Sequence, residues 1–254
     1  MSQQFDAIIV GAGQAGPSLA GRLSAAGQRV ALVERKLFGG TCVNTGCMPT
    51  KTLIASARAA HVARHAADFG VQIAGPVSMD MQVVKARKDK VTLDARHGVE
   101  SWLKGMAGCT VFEGHARFES AHSLRVGDAL LSAERIFLNV GGRASIPDMP
   151  GINDVPYLTN SSMMALTELP RHLVIVGGSY IGLEFAQMYR RFGSQVTVVE
   201  RGPRIISRED AEVSAMVQAI LEREGIAFHL NADSIRFAPR GSDIAVGTTA
   251  GAEV

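Results

Sequence analysis

The chain has 254 residues, of which 46% are hydrophobic and 20% are charged, and its formal net charge at pH 7 is +2. These proportions predict a folded protein of about two domains and disfavour disordered and nucleic-acid-binding proteins. The densest basic run, residues 85–90, includes Asp89 and is typical of a solvated helix face. No apolar run approaches the roughly 18 residues that span a bilayer, and no charged leader precedes the first strand, so we expect a cytoplasmic protein.

The chain opens with an apolar strand that runs into a glycine-rich turn. Residues 8–10 are Ile-Ile-Val, a helix is predicted after the turn, and a second strand at residues 30–33 ends in Glu34. The Gly-x-Gly-x-x-Gly pattern of the turn consists of Gly11, Gly13 and Gly16. This order predicts a βαβ unit in which the turn accommodates a dinucleotide pyrophosphate and Glu34 accepts hydrogen bonds from a ribose.

The same pattern occurs a second time. Its first glycine is Gly177, which lies 166 residues after Gly11 (177 − 11). The turn of this second copy contains Gly177, Ser179 and Gly182. A strand at residues 196–199 follows and is succeeded by Glu200. In both copies, 23 positions separate the first glycine from the acid (34 − 11 and 200 − 177). We therefore predict an α/β protein with two Rossmann-like dinucleotide-binding folds, and Glu200 is the second ribose-binding acid.

Two cysteines, Cys42 and Cys47, lie five positions apart beside a predicted helix start. Residues with this separation are about 8.6 Å apart in a helix and about 16 Å apart in a strand, whereas a disulfide needs Cα atoms within about 7 Å. A bridge therefore requires an irregular loop, which Asn44 and Gly46 favour. Pro49 predicts that Cys47 lies at the positive end of a helix, where a thiolate is stabilised and the thiol pKa falls. The pair therefore indicates a redox-active disulfide.

The region between the two copies combines helices with short strands. The predicted helices cover residues 49–67 and 81–106. The predicted strands cover residues 111–118 and 123–126, as parts of a meander, and residues 135–140. A proline-rich run at residues 147–156 follows. We place a domain boundary there, which gives a first domain at residues 1–155 and a second at residues 156–254.

A zinc site is the rival interpretation of the cysteine pair. Cys42 and Cys47, followed by His61 and His65, come near a zinc-finger pattern. In one continuous helix, however, His61 would lie about 21 Å along the axis from Cys47, whereas zinc ligands lie about 2.0–2.3 Å from the metal. We therefore expect no metal site, and we interpret both histidines as exposed helix positions.

With two dinucleotide patterns on either side of the segment Gly-Gly-Thr-Cys-Val-Asn-Thr-Gly-Cys-Met-Pro (residues 39–49), the chain resembles the class I pyridine nucleotide-disulfide oxidoreductases. This FAD-containing family includes glutathione reductase, dihydrolipoamide dehydrogenase and mercuric reductase, and the cysteine segment is most similar to the mercuric-reductase-like branch. The resemblance implies FAD in the first fold and NAD(P)H in the second. It implies a flavoprotein that passes electrons from NAD(P)H through FAD to the Cys42–Cys47 disulfide. The acceptor would be a small-molecule disulfide or a metal ion such as Hg(II), with dihydrolipoamide dehydrogenase as an alternative.

The resemblance also implies roles for individual residues. Cys42 would be the exposed thiol that attacks the substrate, and Cys47 would face the flavin. Tyr180 would gate the flavin face against nicotinamide, and Glu184 would pair with Lys51 near the flavin. Ordinary exposed helix positions remain the alternative for Lys51, Tyr180 and Glu184. The positions expected to line FAD, besides the first turn and Glu34, are Gly40, Thr41, Lys51, Ala116 and Gly142.

The choice of nicotinamide coenzyme depends on the charges after the second copy. Glu200 favours the free 2′-hydroxyl of NADH and repels the 2′-phosphate of NADPH. Arg201 and Arg204 follow closely and could bind that phosphate. We expect NADH, with NADPH as the alternative.

Two departures from the family pattern affect the expected function. The usual Thr-Gly-x-Arg-Pro turn reads Val-Gly-Gly-Arg-Ala at residues 140–144, so we expect slightly weaker retention of FAD. Family members continue well beyond position 254, so we expect an incomplete second domain and no interface domain, through which a full-length form would make a homodimer. The second functional hypothesis is therefore a truncated, inactive flavin- and nucleotide-binding remnant.

Overall fold

The computed structural model describes residues 2–248 and shows two units. Within the described range, the first unit comprises residues 2–51 and 87–143, and the second comprises residues 52–86 and 144–248. The two glycine patterns lie in different units. The expected domains at residues 1–155 and 156–254 stay a prediction, and residues 249–254 of the second lie outside the described part of the chain.

The first unit is built on a four-stranded parallel sheet in the order β4-β3-β2-β8. Its strands are β1 (Gln3–Gln4), β2 (Ala7–Val10), β3 (Val30–Glu34), β4 (Cys109–Glu113), β5 (Ala116–Ser120), β6 (Ser123–Val126), β7 (Ala129–Ser132) and β8 (Arg135–Leu138). Its helical segments are α1 (Ala15–Ala25), α2 (Gly40–Asn44), the start of α3 (Cys47–Arg64) and most of α4 (Met81–Lys104). The apolar runs of β2 and β3 are buried, as is usual for a parallel sheet that is covered on both faces.

The side chains of the parallel sheet alternate between two hydrophobic clusters. Ile9 and Leu32 pack with Ala20 of α1 and Leu103 of α4. Neighbouring positions such as Ile8 point into a separate cluster with residues of the small sheet β1-β7-β6-β5. This alternation follows from the two-residue period of a strand.

The prediction of one continuous strand at residues 111–118 is wrong. The strand is interrupted at Gly114, whose φ is +154°. Residues before the break form β4, which pairs in parallel with β3, and residues after it form β5, which pairs antiparallel with β6. The sequence period did not reveal that consecutive apolar segments belong to different sheets.

The second unit repeats the βαβ arrangement with the parallel order β11-β10-β9. Its strands are β9 (His172–Val176), β10 (Gln195–Val199), β11 (Ile226–His229), β12 (Arg236–Arg240) and β13 (Asp243–Gly247), and its helices α5 (Tyr180–Phe192) and α6 (Ala211–Arg223) join the parallel strands. Strands β12 and β13 form a separate antiparallel pair. The predicted α/β class with two Rossmann-like folds is confirmed.

The two long helices differ slightly from their predicted bounds. The helix expected at residues 49–67 begins at Cys47 and ends at Arg64, and a 3₁₀ turn at Ala66–Phe69 follows. The helix expected at residues 81–106 ends at Lys104. Within residues 2–248, no helix is both long and apolar enough to cross a bilayer.

Candidate functional site

The first glycine turn lies at the carboxyl end of β2 and packs against Asn139, the residue after β8. A Cβ added at Gly11, whose φ is +109°, would lie 2.2 Å from the carbonyl oxygen of Asn139. A Cβ added at Gly16 would lie 2.2 Å from the carbonyl oxygen of Gly11. The side-chain Nδ2 of Asn139 donates to that same Gly11 oxygen at 3.2 Å. Backbone packing therefore requires both glycines, and Asn139, which the sequence analysis missed, holds the turn.

The start of each helix after a glycine turn is free of a competing side-chain acceptor. Gln14, at the N-cap of α1, makes no side-chain capping bond, and the first turn of α1 has no acidic residue. The same holds for Ser179 and the first turn of α5. A Cβ at Gly13 would meet only the Asn139 side chain, at an ordinary 3.4 Å. Uncapped amides and the helix dipole favour a phosphate at such a position, so both turns fit a dinucleotide pyrophosphate.

The acid of the first copy is bound to the glycine turn. Glu34 accepts hydrogen bonds from the backbone N–H of Ala12 at 2.9 Å and of Lys36 at 2.8 Å. Each carboxylate oxygen accepts one of these bonds and keeps a further acceptor site. Glu34 is therefore fixed in place and still able to accept hydrogen bonds from a ribose.

The second copy has the same geometry. Glu200 accepts from the N–H of Gly178 at 2.7 Å and from the N–H of Gly202 at 2.7 Å. Gly177 has a φ of +108°, and a Cβ added at Gly182 would lie 2.3 Å from the carbonyl oxygen of Gly177. Arg201, which follows Glu200 in the chain, is exposed. The glycine turn and the acid expected from the sequence are thus brought together in this unit.

The cysteine segment packs directly on the first glycine turn. The N–H of Gly39 donates to the carbonyl oxygen of Ala12 at 2.8 Å. Gly40 has a φ of +59°, and a Cβ added there would lie 2.8 Å from the Cα of Gly13. Because neither Gly40 nor Gly13 has a side chain, the two backbones can meet, and the cysteine segment lies directly against the first glycine turn. Gly39 was recognised in the sequence as the first residue of the cysteine segment, but it was not assigned a role in the site.

Cys42 and Cys47 lie on two helical segments separated by a short break. Cys42 is in the middle of α2, and Cys47 is the first residue of α3. A Cβ added at Gly46 would lie 2.9 Å from the Thr41 carbonyl oxygen and 3.3 Å from the Cα of Cys42. The chain thus folds back on itself, and the Cys42 thiol has the Cys47 thiol as a hydrogen-bonding neighbour. The expected irregular connection is confined to Thr45 and Gly46, and both cysteines are free thiols in this structure.

The two thiols have different surroundings. Cys42 is half-buried and Cys47 is exposed, whereas Cys42 was expected to be the exposed thiol of the pair. The contact of Cys47 with a flavin stays a prediction. Burial raises the pKa of the Cys42 thiol, and the hydrogen bond and charge of the Cys47 thiol raise it further. Cys42 therefore needs a base to remove its proton before it can attack at neutral pH.

The other positions expected to line FAD are found in the first unit. Thr41 is exposed on α2, and its carbonyl oxygen accepts the N–H of Thr45 at 2.9 Å. Lys51 is exposed in the first part of α3, and Ala116 begins β5. Gly142 is exposed in the irregular segment after β8. Their contacts with FAD stay a prediction.

Tyr180 and Glu184 lie on α5 in the second unit. Tyr180 is the first residue of the helix and is 48% exposed. Its hydroxyl donates a hydrogen bond to Glu209, which raises the pKa of Tyr180. Glu184, one turn later, is half-buried. The roles of both residues, and the pairing of Glu184 with Lys51, stay predictions.

His61, near the end of α3, and His65, just after it, differ in exposure, although both were expected to be exposed. His65 is exposed, but His61 is half-buried, and their ring centroids are 4.2 Å apart. Burial lowers the pKa of His61, and the positive charge of Arg191 lowers it further. In the described part of the chain, no three His, Cys, Asp or Glu side chains cluster as a metal site would require.

The family model for pyridine nucleotide-disulphide oxidoreductases matches residues 5–254. The chain therefore belongs to this family. It is 37% identical over 250 residues to the probable pyridine nucleotide-disulfide oxidoreductase RclA of Escherichia coli K12, covering 96% of this chain and 53% of that protein. A solved Cu(II) complex of the HOCl-induced flavoprotein disulfide reductase RclA from E. coli has a TM-score of 0.86 at 35% identity, covering 99% of this chain and 54% of that one.

Other relatives carry different enzyme names. The chain is 37% identical to a mercuric reductase of Streptomyces lividans, covering 89% of this chain and 48% of the relative. It is 34% identical to a dihydrolipoyl dehydrogenase of Acholeplasma laidlawii, covering 89% of this chain and 68% of the relative. The chain thus spans about half the length of most of these relatives.

The raised pKa of Cys42 predicts a specific pH dependence of alkylation. In the reduced chain, Cys42 should react with iodoacetamide with a pH midpoint above the value of about 8.5 for an ordinary thiol. The substitution Cys47→Ser removes the neighbouring thiol and should lower this midpoint, although burial still raises it. Peptide mass spectrometry across a pH series measures the modification of each cysteine.

Cys109 is the matched control for this experiment, because burial alone raises the pKa of Cys109. Its midpoint should be the same with and without Cys47→Ser. An unchanged Cys42 midpoint in Cys47→Ser would show that the two thiols do not interact.

Proposed function

We propose that this chain carries the FAD-binding part and the NAD(P)H-binding turn of a flavoprotein disulfide reductase, with Cys42–Cys47 as the redox-active disulfide. The observation that supports this most strongly is the packing of the cysteine segment on the first glycine turn, through the Gly39 bond to Ala12 and the close approach of Gly40 to Gly13. A dinucleotide on that turn would have the cysteine segment as its immediate neighbour.

The residues present fit FAD at the first turn and a nicotinamide coenzyme at the second. When bound, FAD supplies a hydride acceptor for NAD(P)H and a source of electrons for a disulfide. The residues proposed to hold it are Gly11, Gly13, Gly16, Glu34, Gly40, Thr41, Lys51, Ala116 and Gly142. The residues proposed to hold the coenzyme are Gly177, Gly182, Glu200 and Arg201, with Tyr180 covering the nicotinamide site and Glu184 paired with Lys51.

The cysteine pair can reduce a disulfide by two successive exchanges. The Cys42 thiolate attacks one sulfur of the acceptor disulfide and releases the other as a thiolate, which leaves a mixed disulfide. The Cys47 thiolate then attacks the Cys42 sulfur, forms the Cys42–Cys47 disulfide and releases the second acceptor thiol. Because the pKa of Cys42 is raised, a base must take its proton as the attack begins.

A soft metal ion is the second candidate acceptor. Thiolates are preferred ligands of soft metal ions, and the Cys42 thiol has the Cys47 thiol as a hydrogen-bonding neighbour. Mercuric reductases and a Cu(II) complex occur among the relatives. Dihydrolipoamide dehydrogenase activity and a non-catalytic nucleotide-binding remnant are the remaining alternatives. For a full-length form we propose a cytoplasmic homodimer, on the basis of the resemblance.

The contact between Gly40 and Gly13 predicts a strong effect of Gly40→Ala on FAD binding. A methyl group at Gly40 collides with the Cα of Gly13, so the cysteine segment must move off the turn. We expect at least a tenfold weaker affinity for FAD, about 1.4 kcal/mol. Flavin absorbance of the purified chain and titration of FAD into the stripped chain measure this loss. A chain that binds no flavin at all before substitution would contradict the proposed FAD site.

Gly127→Ala is the matched control for Gly40→Ala. Gly127 belongs to the same unit and has a similar φ of +55°, but no atom lies within 4 Å of an added Cβ. This variant bears the same backbone strain without the collision, and it should retain FAD. Equal FAD affinity in the two folded variants would refute the proposed docking.

The position of Glu200 predicts a preference for NADH. Its carboxylate is fixed at the end of β10 by two backbone bonds, where it would repel a 2′-phosphate. We expect NADH to bind about tenfold more tightly than NADPH, and Glu200→Ala to reduce this ratio. Isothermal titration of both coenzymes measures it, with the exposed Glu222→Ala as a control that leaves the ratio unchanged. Tighter binding of NADPH by the unsubstituted chain would reverse the assignment and favour Arg201 and Arg204 as a phosphate site.

A further inference from the structure

The side chain of Asn44 closes a ring of hydrogen bonds around the segment that contains Cys42. Its Nδ2 donates to the carbonyl oxygen of Phe38 at 2.9 Å and to that of Gly40 at 2.8 Å. Both N–H groups of the amide are therefore engaged. One is bound by the residue before the Gly39–Gly40 pair, and the other by the second glycine of that pair. These bonds connect the end of α2 to residues 38–40, which pack on the first glycine turn.

Arg96 supplies the remaining partner of this amide. Its Nε donates to the Oδ1 of Asn44 at 2.7 Å, from a position 52 residues away on α4. Arg96 and Asn44 are both half-buried. A flip of the amide would face Oδ1 with two carbonyl oxygens and would turn the NH₂ group toward the guanidinium, which has no acceptor. The charge-assisted bond from Arg96 thus selects one orientation of Asn44, and with it one conformation of the segment.

The orientation of this segment bears on the chemistry of the cysteines. Gly46 packs against the Cα of Cys42, so the two thiols are adjacent only while α2 stays in place. The equilibrium constant for closing an intramolecular disulfide rises with the effective concentration of one thiol near the other. Movement of α2 lowers that concentration and makes the disulfide easier to reduce.

We propose that Arg96 is a positioning residue for the redox pair: through Asn44 it holds Cys42 where the disulfide with Cys47 closes. This inference rests on the proposed function, since it assigns a task to a pair that must itself be redox-active. Arg96 acts on the cysteines through another side chain. Its loss should therefore change the redox equilibrium of the pair while the fold of the unit is retained.

The test uses the 254-residue chain in buffers of reduced and oxidised glutathione. Oxidation of Cys42 and Cys47 to a disulfide releases two electrons and two protons, and the same electrons and protons convert oxidised glutathione to two reduced molecules. Acid quenching, alkylation and peptide mass spectrometry give the fraction of Cys42–Cys47 disulfide at each ratio. A chain that never forms this disulfide reversibly would overturn the proposed function itself.

In the chain with a reversible disulfide, Arg96→Met should lower the equilibrium constant for its formation about tenfold, a rise in reduction potential of about 30 mV. Asn44→Ala should have a similar effect, and the double variant should show little further change, because both substitutions remove the same bond. The control is Lys90→Met, which removes a cation from an exposed ion pair with Asp94 on the same helix. It should leave the constant within about twofold.

Circular dichroism and thermal unfolding show which variants fold. An unchanged constant in folded Arg96→Met would overturn the proposal, as would effects of Arg96→Met and Asn44→Ala that simply add. If Arg96→Met does not fold, Arg96→Lys takes its place, since an ammonium can donate to Asn44 without the planar geometry of a guanidinium. A decrease of about threefold is expected for Arg96→Lys, and no decrease would overturn the proposal.

Discussion

The close approach of two glycine backbones is the constraint on which the rest of the first unit depends. Gly13 is the position of the turn that the pyrophosphate of the proposed FAD would approach. Gly40 is the position at which the cysteine segment meets that turn. A side chain at Gly40 would push the cysteine segment away from the turn, whereas a Cβ at Gly13 would meet only the Asn139 side chain. Because both are glycines, one backbone surface can serve the cofactor and the redox pair together.

In both copies of the βαβ unit, a later segment of the chain is hydrogen-bonded to a carbonyl oxygen of the glycine turn, but the segments differ. In the first copy, the Ala12 carbonyl accepts the N–H of Gly39, which begins the cysteine segment. In the second copy, the equivalent carbonyl of Gly178 accepts the N–H of Ile206 at 2.8 Å. The segment that follows contains Glu209, the partner of Tyr180, and no thiol. The same backbone bond therefore places the cysteine segment in one unit and the hydrogen-bond partner of Tyr180 in the other.

Local spacing predicted the parts of the site whose residues lie close together in the sequence. The glycine turns, the acids Glu34 and Glu200 and the cysteine pair all follow short-range patterns, because turn geometry and helix starts are set by neighbouring residues. Asn139 and Arg96 could not be found in this way. Their bonds to Gly11 and Asn44 connect residues 128 and 52 positions apart, and nothing in the local sequence indicates which distant side chain will complete a turn.

The misassigned elements have a similar cause. The apolar pattern continues through Gly114, but the pairing partner changes there from β3 to β6, and pairing is a long-range property. His61 lies on an Ala-rich helix that suggests exposure, yet it is half-buried beside Arg191 of α5.

The most direct test of the account is an anaerobic dithionite titration of the chain loaded with FAD. Each chain should take up two electron pairs, one for the flavin and one for the Cys42–Cys47 disulfide, whereas Cys42→Ser should take up only the first. Uptake of a single pair by both proteins would contradict the claim that these cysteines form the redox centre of a flavoprotein.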